Sequence, residues 1–317
     1  MTVYPDYYPE FRCIAGACSH NCCIGWEIDI DADKLAFYET VPGELGQRLR
    51  RCISREGTPH FILGEGERCP FLNGDNLCDI ITQLGEEHIC QICTDHPRFY
   101  NCLSERTEAG LGLCCEEAAR LILGWKEPVR LLKDGDEPEE DEWVLLRDEA
   151  IALLQRREKP IWQRLQELLA LCGGDMPHGD MSVWADALLQ LERLDDGWTQ
   201  LLEKLKERWH DLELAAFDAH MAGRETEYEQ LAVYLVYRHL VNAWDDADLA
   251  ARAAFAVLGC LLLRALGALM LQESGDFTFA HQVELARMFS SEIEYSEENM
   301  EALLRLLLPA WAADEMN

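Results

Sequence analysis

Cys90-Gln91-Ile92-Cys93 and Cys18-x3-Cys22-Cys23 are the residues of this chain whose type and spacing could do chemistry. Thiolates ligate zinc, other soft metals and iron–sulfur clusters. Close pairs suit that task because a tight turn can aim two side chains at one ion while its backbone N–H groups face the sulfurs. A lone CxxC carries little weight. Here twelve of fourteen cysteines fall in the first 115 residues: Cys13, Cys18, Cys22 and Cys23, then Cys69, Cys78, Cys90 and Cys93, then Cys102, Cys114 and Cys115, with Cys52 between the first two groups. Isolated core cysteines have no reason to gather so, and a metal is expected to organise the N-terminal third. His20 inside the first loop, and His88 and His96 beside the CxxC, read more simply as surface or hydrogen-bonded residues.

A disulfide framework is the other use of many cysteines, and it belongs to small secreted domains with inadequate cores. This chain has 317 residues and is 49% hydrophobic, enough for ordinary cores. Met1 to Cys13 shows neither a basic nor an apolar leader segment, so a cytoplasmic location with reduced thiols is expected. The net charge of −31, from 59 acidic and 28 basic residues, argues against nucleic acid, which requires a basic footprint. Phe255 to Leu271 is almost wholly apolar and nearly long enough to span a bilayer. Arg264 at its middle and the lack of a basic flank favour a buried core helix over membrane insertion.

The elements that must position the cysteines are few and short. Asp134 to Glu142 (DGDEPEEDE) is so acidic that it reads as a solvated linker. It divides a cysteine-rich metal-binding domain, residues 1–133, from an all-helical domain, residues 143–317. In the latter, apolar residues recur at three- and four-residue steps, as in Trp184, Leu188, Leu191 and in Trp198, Leu201, Leu202, Leu205, Trp209. That period predicts seven or eight amphipathic helices packed as a bundle. Strand signals are confined to Trp26–Asp31 (WEIDID) and His60–Leu63. The expected class is mainly α, with a few short strands in the cysteine-rich part.

The same residues resemble those of the flagellin lysine-N-methylase family, part of a wider zinc- or iron-chelating group with a CxxCxxCC pattern. The resemblance begins with Phe11-Arg12-Cys13, Cys18, Cys22-Cys23 and Gly25 to Asp31. It continues through Cys69-Pro70-Phe71-Leu72, Leu77-Cys78-Asp79-Ile80, Leu84-Gly85-Glu86, Cys90, Cys93 and Pro97-Arg98, to Cys115 ahead of Glu117-Ala118-Ala119-Arg120-Leu121. Weaker echoes lie at Tyr234–Arg238 and Phe289–Asn299. Where the family tends to have Ser-Cys-Pro, this chain has Cys114-Cys115-Glu116, and position favours Cys115 as the ligand. Cys52, Cys102, Cys172 and Cys260 fall outside the pattern and read as small apolar residues.

What the resemblance implies is methyl transfer from S-adenosylmethionine to the ε-amine of lysines on flagellin, in a protein carrying a 4Fe-4S cluster. The ligands would come from Cys13, Cys18, Cys22, Cys23, Cys69, Cys78, Cys90, Cys93 and Cys115, more than one cluster needs. Zinc is the alternative or additional metal, because thiolates suit both. The rival reading is then a non-catalytic zinc- or iron-chelating module that serves structure or binds a partner. No strand followed by GxGxxG is present, which argues against a Rossmann-type cofactor pocket. Cys18-x3-Cys22 is followed at once by Cys23, so the radical CxxxCxxC motif is not met, and polar displacement by a neutral amine is expected. A proton must leave the lysine first, its ordinary pKa being about 10.4. Tyr234, Tyr237 and Arg238 on one helix and Glu294 on another are the expected catalytic groups, while Trp26 with Asp29 and Asp31 would face the cationic cofactor.

Overall fold

The computed structural model describes residues 1–135 and 141–315. It is 59% helix and 9% strand, which bears out the mainly α class. The first elements in chain order are β1 (Thr2–Pro5), α1 (Ala32–Thr40), α2 (Gly43–Arg51), β2 (Ile53–Ser54), β3 (His60–Phe61), α3 (Asp79–Leu84), α4 (Gln91–Asp95), β4 (Arg98–Cys102) and β5 (Thr107–Leu111). There follow α5 (Glu116–Gly124), β6 (Leu131–Asp134), α6 (Glu142–Leu154), α7 (Ile161–Leu171), α8 (Met181–Leu188), α9 (Asp196–Arg208), α10 (Leu214–Met221), α11 (Glu225–His239) and α12 (Asp246–Ser274). The last are α13 (Phe279–Phe289), α14 (Glu297–Leu306) and α15 (Ala310–Glu315).

Two compact units result: Arg12–Phe99, and Met1–Phe11 together with Tyr100–Asn317. The boundary therefore lies at residue 99, not at the acidic run, most of which (136–140) is outside the described residues. The physical reason is β1. It pairs in parallel with β5 (Val3 opposite Glu108) and antiparallel with β6 (Thr2 opposite Asp134, Pro5 opposite Leu131), giving the order β4-β5-β1-β6. The N-terminus and residues 100–135 are thus sewn by backbone hydrogen bonds into the unit that holds the helices, a pairing with no local signature in sequence.

In the cysteine-rich unit, β2 and β3 form a small antiparallel hairpin turned by Gly57 at φ 71°. WEIDID runs extended beside it: Ile30 donates to Pro59 O at 2.7 Å, Phe61 donates to Ile28 O at 3.1 Å, and Asp29 bridges to His60. It does not form a full strand, yet Ile28 and Ile30 are buried and Asp29 exposed, as its alternation requires. The core gathers these isoleucines with Tyr38 of α1, Leu49 of α2, Phe61 and Phe71. Arg48 fastens α2 to α3, its guanidinium over Phe71 at 5.1 Å and 2.6 Å from Asp79. Gly46 lies so close to the Val41 carbonyl that a Cβ there would sit 1.8 Å from its oxygen. Gly46→Ala is accordingly expected to cost about 1–3 kcal/mol in urea unfolding, since a backbone group cannot step aside as a side chain can.

The helical unit is built round α12, which packs against α7, α9, α10, α11, α13 and α14. Asp245 caps its first turn by accepting from Asp248 N at 2.8 Å, and Gly275 closes it in the left-handed region at φ 78°. This helix is long and apolar enough to cross a membrane, and its most apolar window is 78% buried within the protein. Arg264 is accommodated by Asp218 at 2.7 Å and by the face of Trp162. Among the described residues ten helices, α6 to α15, stand where periodicity predicted seven or eight; α8, α10 and α15, of six to eight residues, complete too few turns to display a period.

Candidate functional site

Six of the expected ligand cysteines meet in the Arg12–Phe99 unit. Cys22 and Cys23 share a hydrogen bond, as do Cys90 and Cys93. Cys23 also interacts electrostatically with Cys69 and Cys78, Cys93 with Cys23 and Cys69, and Cys78 with Cys90. Local structure explains the convergence. Cys78 and Cys90 are the N-cap residues of α3 and α4, and Cys69 donates its N–H to Cys23 O at 2.8 Å. Backbone N–H groups of Phe71 and Leu72 face the Cys69 sulfur, and those of Ile80 and Ile81 face Cys78, the surroundings a metal-bound thiolate needs. All fourteen cysteines are free thiols.

Burial pushes the Cys69 thiol up to about 11 and Cys78 upward as well, so without a metal these groups stay protonated. Within each close pair one thiol is pulled down by the hydrogen bond it receives, Cys22 from Cys23 and Cys90 from Cys93, and the donor is raised. Among the described residues no group of three His, Cys, Asp or Glu side chains stands in a ready metal-binding arrangement. The donor set nevertheless fits a thiophilic metal or an iron–sulfur cluster: soft sulfurs, closely grouped, with amides turned toward them.

The other expected ligands are Cys13, Cys18 and Cys115. Cys13 is exposed and accepts a local N–H from Ala15 at 3.3 Å, while Cys18 donates to His20 O at 3.1 Å. Cys115 caps α5 in the other unit. Of the expected cofactor contacts, Trp26 donates to Cys22 O and its ring lies 5.9 Å from that of His96. Asp31 is a structural clamp: one oxygen accepts from Lys34 N at 3.1 Å in α1, the other from Gln91 N at 2.9 Å at the head of α4. It therefore aims the CxxC helix. Sequence reasoning missed Tyr38, wholly buried, whose hydroxyl donates to His88 O at 2.8 Å and lies 3.5 Å from the Cys90 sulfur. No local signal marks it.

The helical unit holds a second polar centre. Helix α11 is buried on nearly every side, so each of its polar groups must find a partner inside. Tyr234 Oη receives from Arg238 Nη1 at 2.7 Å and donates to the Glu294 carboxylate at 3.1 Å; His239 Nε2 lies 2.6 Å from the same carboxylate. Glu294 is carried inward by a π-helical turn, Ser290–Glu294, a local irregularity often found at functional sites. The Arg238 guanidinium stacks on Tyr295 at 4.8 Å, and Tyr295 hydrogen-bonds Cys114. Tyr234, Arg238 and Glu294 are thus brought together as expected, whereas Tyr237 is directed away to Val3 O and Ala109 O at 3.1 and 3.0 Å. His239, Tyr295 and Cys114, each adjacent in sequence to a residue already singled out, complete the group.

Its electrostatics limit what it can do. Burial pushes the Glu294 carboxyl up, but Arg238 and His239 outweigh it and hold the pKa at about 2. Burial likewise drives Tyr234 well up and His239 down. Glu294 is therefore a fixed anion and His239 a neutral donor, and neither Glu294 nor Tyr234 is poised to take a lysine proton near neutrality. Linkage gives a test. Folded His239 resists the proton that its unfolded form takes up near pH 6.5, so its stabilisation is present above that pH and lost as pH falls below it. Glu294 adds a second loss, starting below the ordinary carboxylate range and complete near its folded value. Urea midpoints at pH 7.5, 6 and 5 are expected to decline, and His239→Gln to flatten the upper part of that decline.

Comparison with known proteins agrees with the helical unit. Residues 181–310 match the family model described as the FliB lysine N-methylase C-terminal domain. Over 127 residues, 38% of this chain, the sequence is 29% identical to the flagellar biosynthetic protein FliU of Salmonella muenchen, covering 75% of that protein. It is 28% identical over 127 residues to lysine-N-methylases of Salmonella typhimurium and Salmonella choleraesuis, covering 31% of each. No solved structure matches. The matched stretch begins at α8 and includes the polar centre of Tyr234, Arg238 and Glu294. Over residues 181–310, its C-terminal part, the chain is thus similar to the C-terminal domain of lysine N-methylases.

Proposed function

We propose that this protein transfers methyl groups from S-adenosylmethionine to lysine ε-amines of flagellin in the cytoplasm, and that its cysteine-rich unit carries a 4Fe-4S cluster. The observation behind this reading is a conjunction in one chain: six mutually interacting free thiols, and a helical region matching the lysine N-methylase C-terminal domain. Cys22, Cys23, Cys69, Cys78, Cys90 and Cys93 would supply the ligands, with Asp31 and Tyr38 holding the CxxC helix. When bound, the cluster supplies a Lewis-acidic iron and structural order.

The chain's own part is alignment. A neutral amine already attacks a sulfonium methyl, so the protein must bring the two together and help the amine shed its proton. With Glu294 ion-paired and Tyr234 held protonated, loss of the lysine proton is better served by desolvation of the ammonium, which lowers its pKa, than by either side chain acting as base. Mass spectrometry of flagellin co-expressed with and without the protein tests the reading. Methyl increments on lysines only in the former are expected, and unmodified flagellin in both would overturn it. Anaerobic purification with iron, sulfide and zinc analysis tests the cluster: a colourless zinc protein would favour the non-catalytic chelating module instead.

A further inference from the structure

The helical unit contains a half-open cavity of about 490 Å³, a size within the usual range of ligand sites. It lies between the start of α7, the end of α10 and the start of α11, away from the polar centre round Glu294. Its apolar wall is aromatic: the rings of Trp162 and Tyr228 meet at 5.2 Å and 53°, and Tyr228 is 1% exposed. The Tyr228 hydroxyl faces Gln282 without a hydrogen bond of good geometry. Trp162 already receives one cation, the Arg264 guanidinium, 4.9 Å from its ring centre.

The charges round the opening are unequal in availability. Its two cations are engaged: Arg157 holds Glu229 at 2.8 Å, and Lys159 holds Glu167 at 2.7 Å. Among its three carboxylates, Asp218 is paired with Arg264, and Glu225 is engaged through both oxygens, by Ile161 N at 2.8 Å and by Arg164 at 3.8 Å. Glu158 is exposed and pairs with no described cation. A cavity walled by Trp162, with one carboxylate unpaired among the described residues, Glu158, at its mouth, is complementary to an alkylammonium group, whose methylenes lie against the indole while its charge meets the acid.

We propose that this cavity binds a lysine side chain, free or methylated, of a polypeptide partner. The inference rests on the lysine-methylating reading for its biological sense, but it is tested by binding alone. Isothermal titration of the full-length protein, without methyl donor, would use three acetylated and amidated peptides differing at one position: lysine, trimethyl-lysine or norleucine. Both cationic peptides are expected to bind about tenfold more tightly than the norleucine peptide, and Glu158→Lys to remove that preference. Trp162→Leu should weaken the cationic peptides while changing the norleucine peptide little.

Equal binding of all three peptides would overturn the proposal, as would a preference for lysine that survives Glu158→Lys. A stronger response to a glutamate peptide would show that Arg157 and Lys159 rule the mouth, and would overturn it too. The outcomes separate from those of the methylation experiment. Methylated flagellin with no charge preference here leaves the enzyme reading standing and removes the cavity from it. Selective binding with unmodified flagellin does the reverse.

Discussion

Arg147→Ala is expected to destabilise the helical unit by about 3–5 kcal/mol, enough to unfold a typical domain of modest stability. Arg147 lies on α6 with its side chain entirely buried, and its two terminal nitrogens each stand 2.6 Å from an oxygen of Glu108 on β5, also entirely buried. Burial works against its charge, but Glu108 and Asp148 keep it ionised. Among the described residues, truncation would leave the Glu108 carboxylate with Arg106, 2.6 Å away, as its charged partner, and would take the guanidinium from the face of Tyr237, 4.9 Å off. The cost arises from the stranded charge, so the double variant Arg147→Met, Glu108→Leu should recover most of the stability. Chemical denaturation of the three proteins measures this. If the double variant is as unstable as the single one, packing and not charge is what the pair contributes.

On the proposed reading, Cys90→Ser combined with Cys93→Ser is expected to abolish metal retention, and with it methyl transfer to flagellin. These two sulfurs come from one short helix whose start is clamped by Asp31, and they interact with Cys23, Cys69 and Cys78. Removing both takes two of the six grouped donors. Because Cys69 and Cys90 also belong to the apolar core of their unit, loss of metal should lower that unit's melting temperature as well. Cys52→Ser is the control. Cys52 packs against the same core and is not one of the six proposed ligands, so on the same reading this variant should keep iron and sulfide while losing a little stability. Full metal content in the Cys90, Cys93 double variant would remove this site from the proposal.

Much of this protein was legible from residue order. The family resemblance pointed to eight candidate ligands in the Arg12–Phe99 unit, and six of them interact there. Such ligands come from tight turns and helix starts, whose geometry is local. The 3.6-residue period foretold the helices for the same reason, and Arg264 within an apolar run argued for a core helix, where its partner is Asp218. Local chemistry also drew attention to Tyr234, Arg238 and Glu294, which meet across sixty residues of chain.

Only the tertiary structure decided what those residues are free to do. Asp31, legible as an acid beside the cysteines, is consumed in capping two helices. Tyr237, one residue from Arg238, turns to β1 and β5 because a single step along a helix rotates the side-chain direction by about 100°. Glu294 is an anion fixed by Arg238 and His239, a state set by neighbours and burial that no spacing encodes. The unit boundary moved to residue 99 because β1 takes partners more than a hundred residues away, and such pairing depends on edges meeting in space. Composition and period fix what lies within a few turns of each residue; long-range contacts fix charge state, direction and partnership.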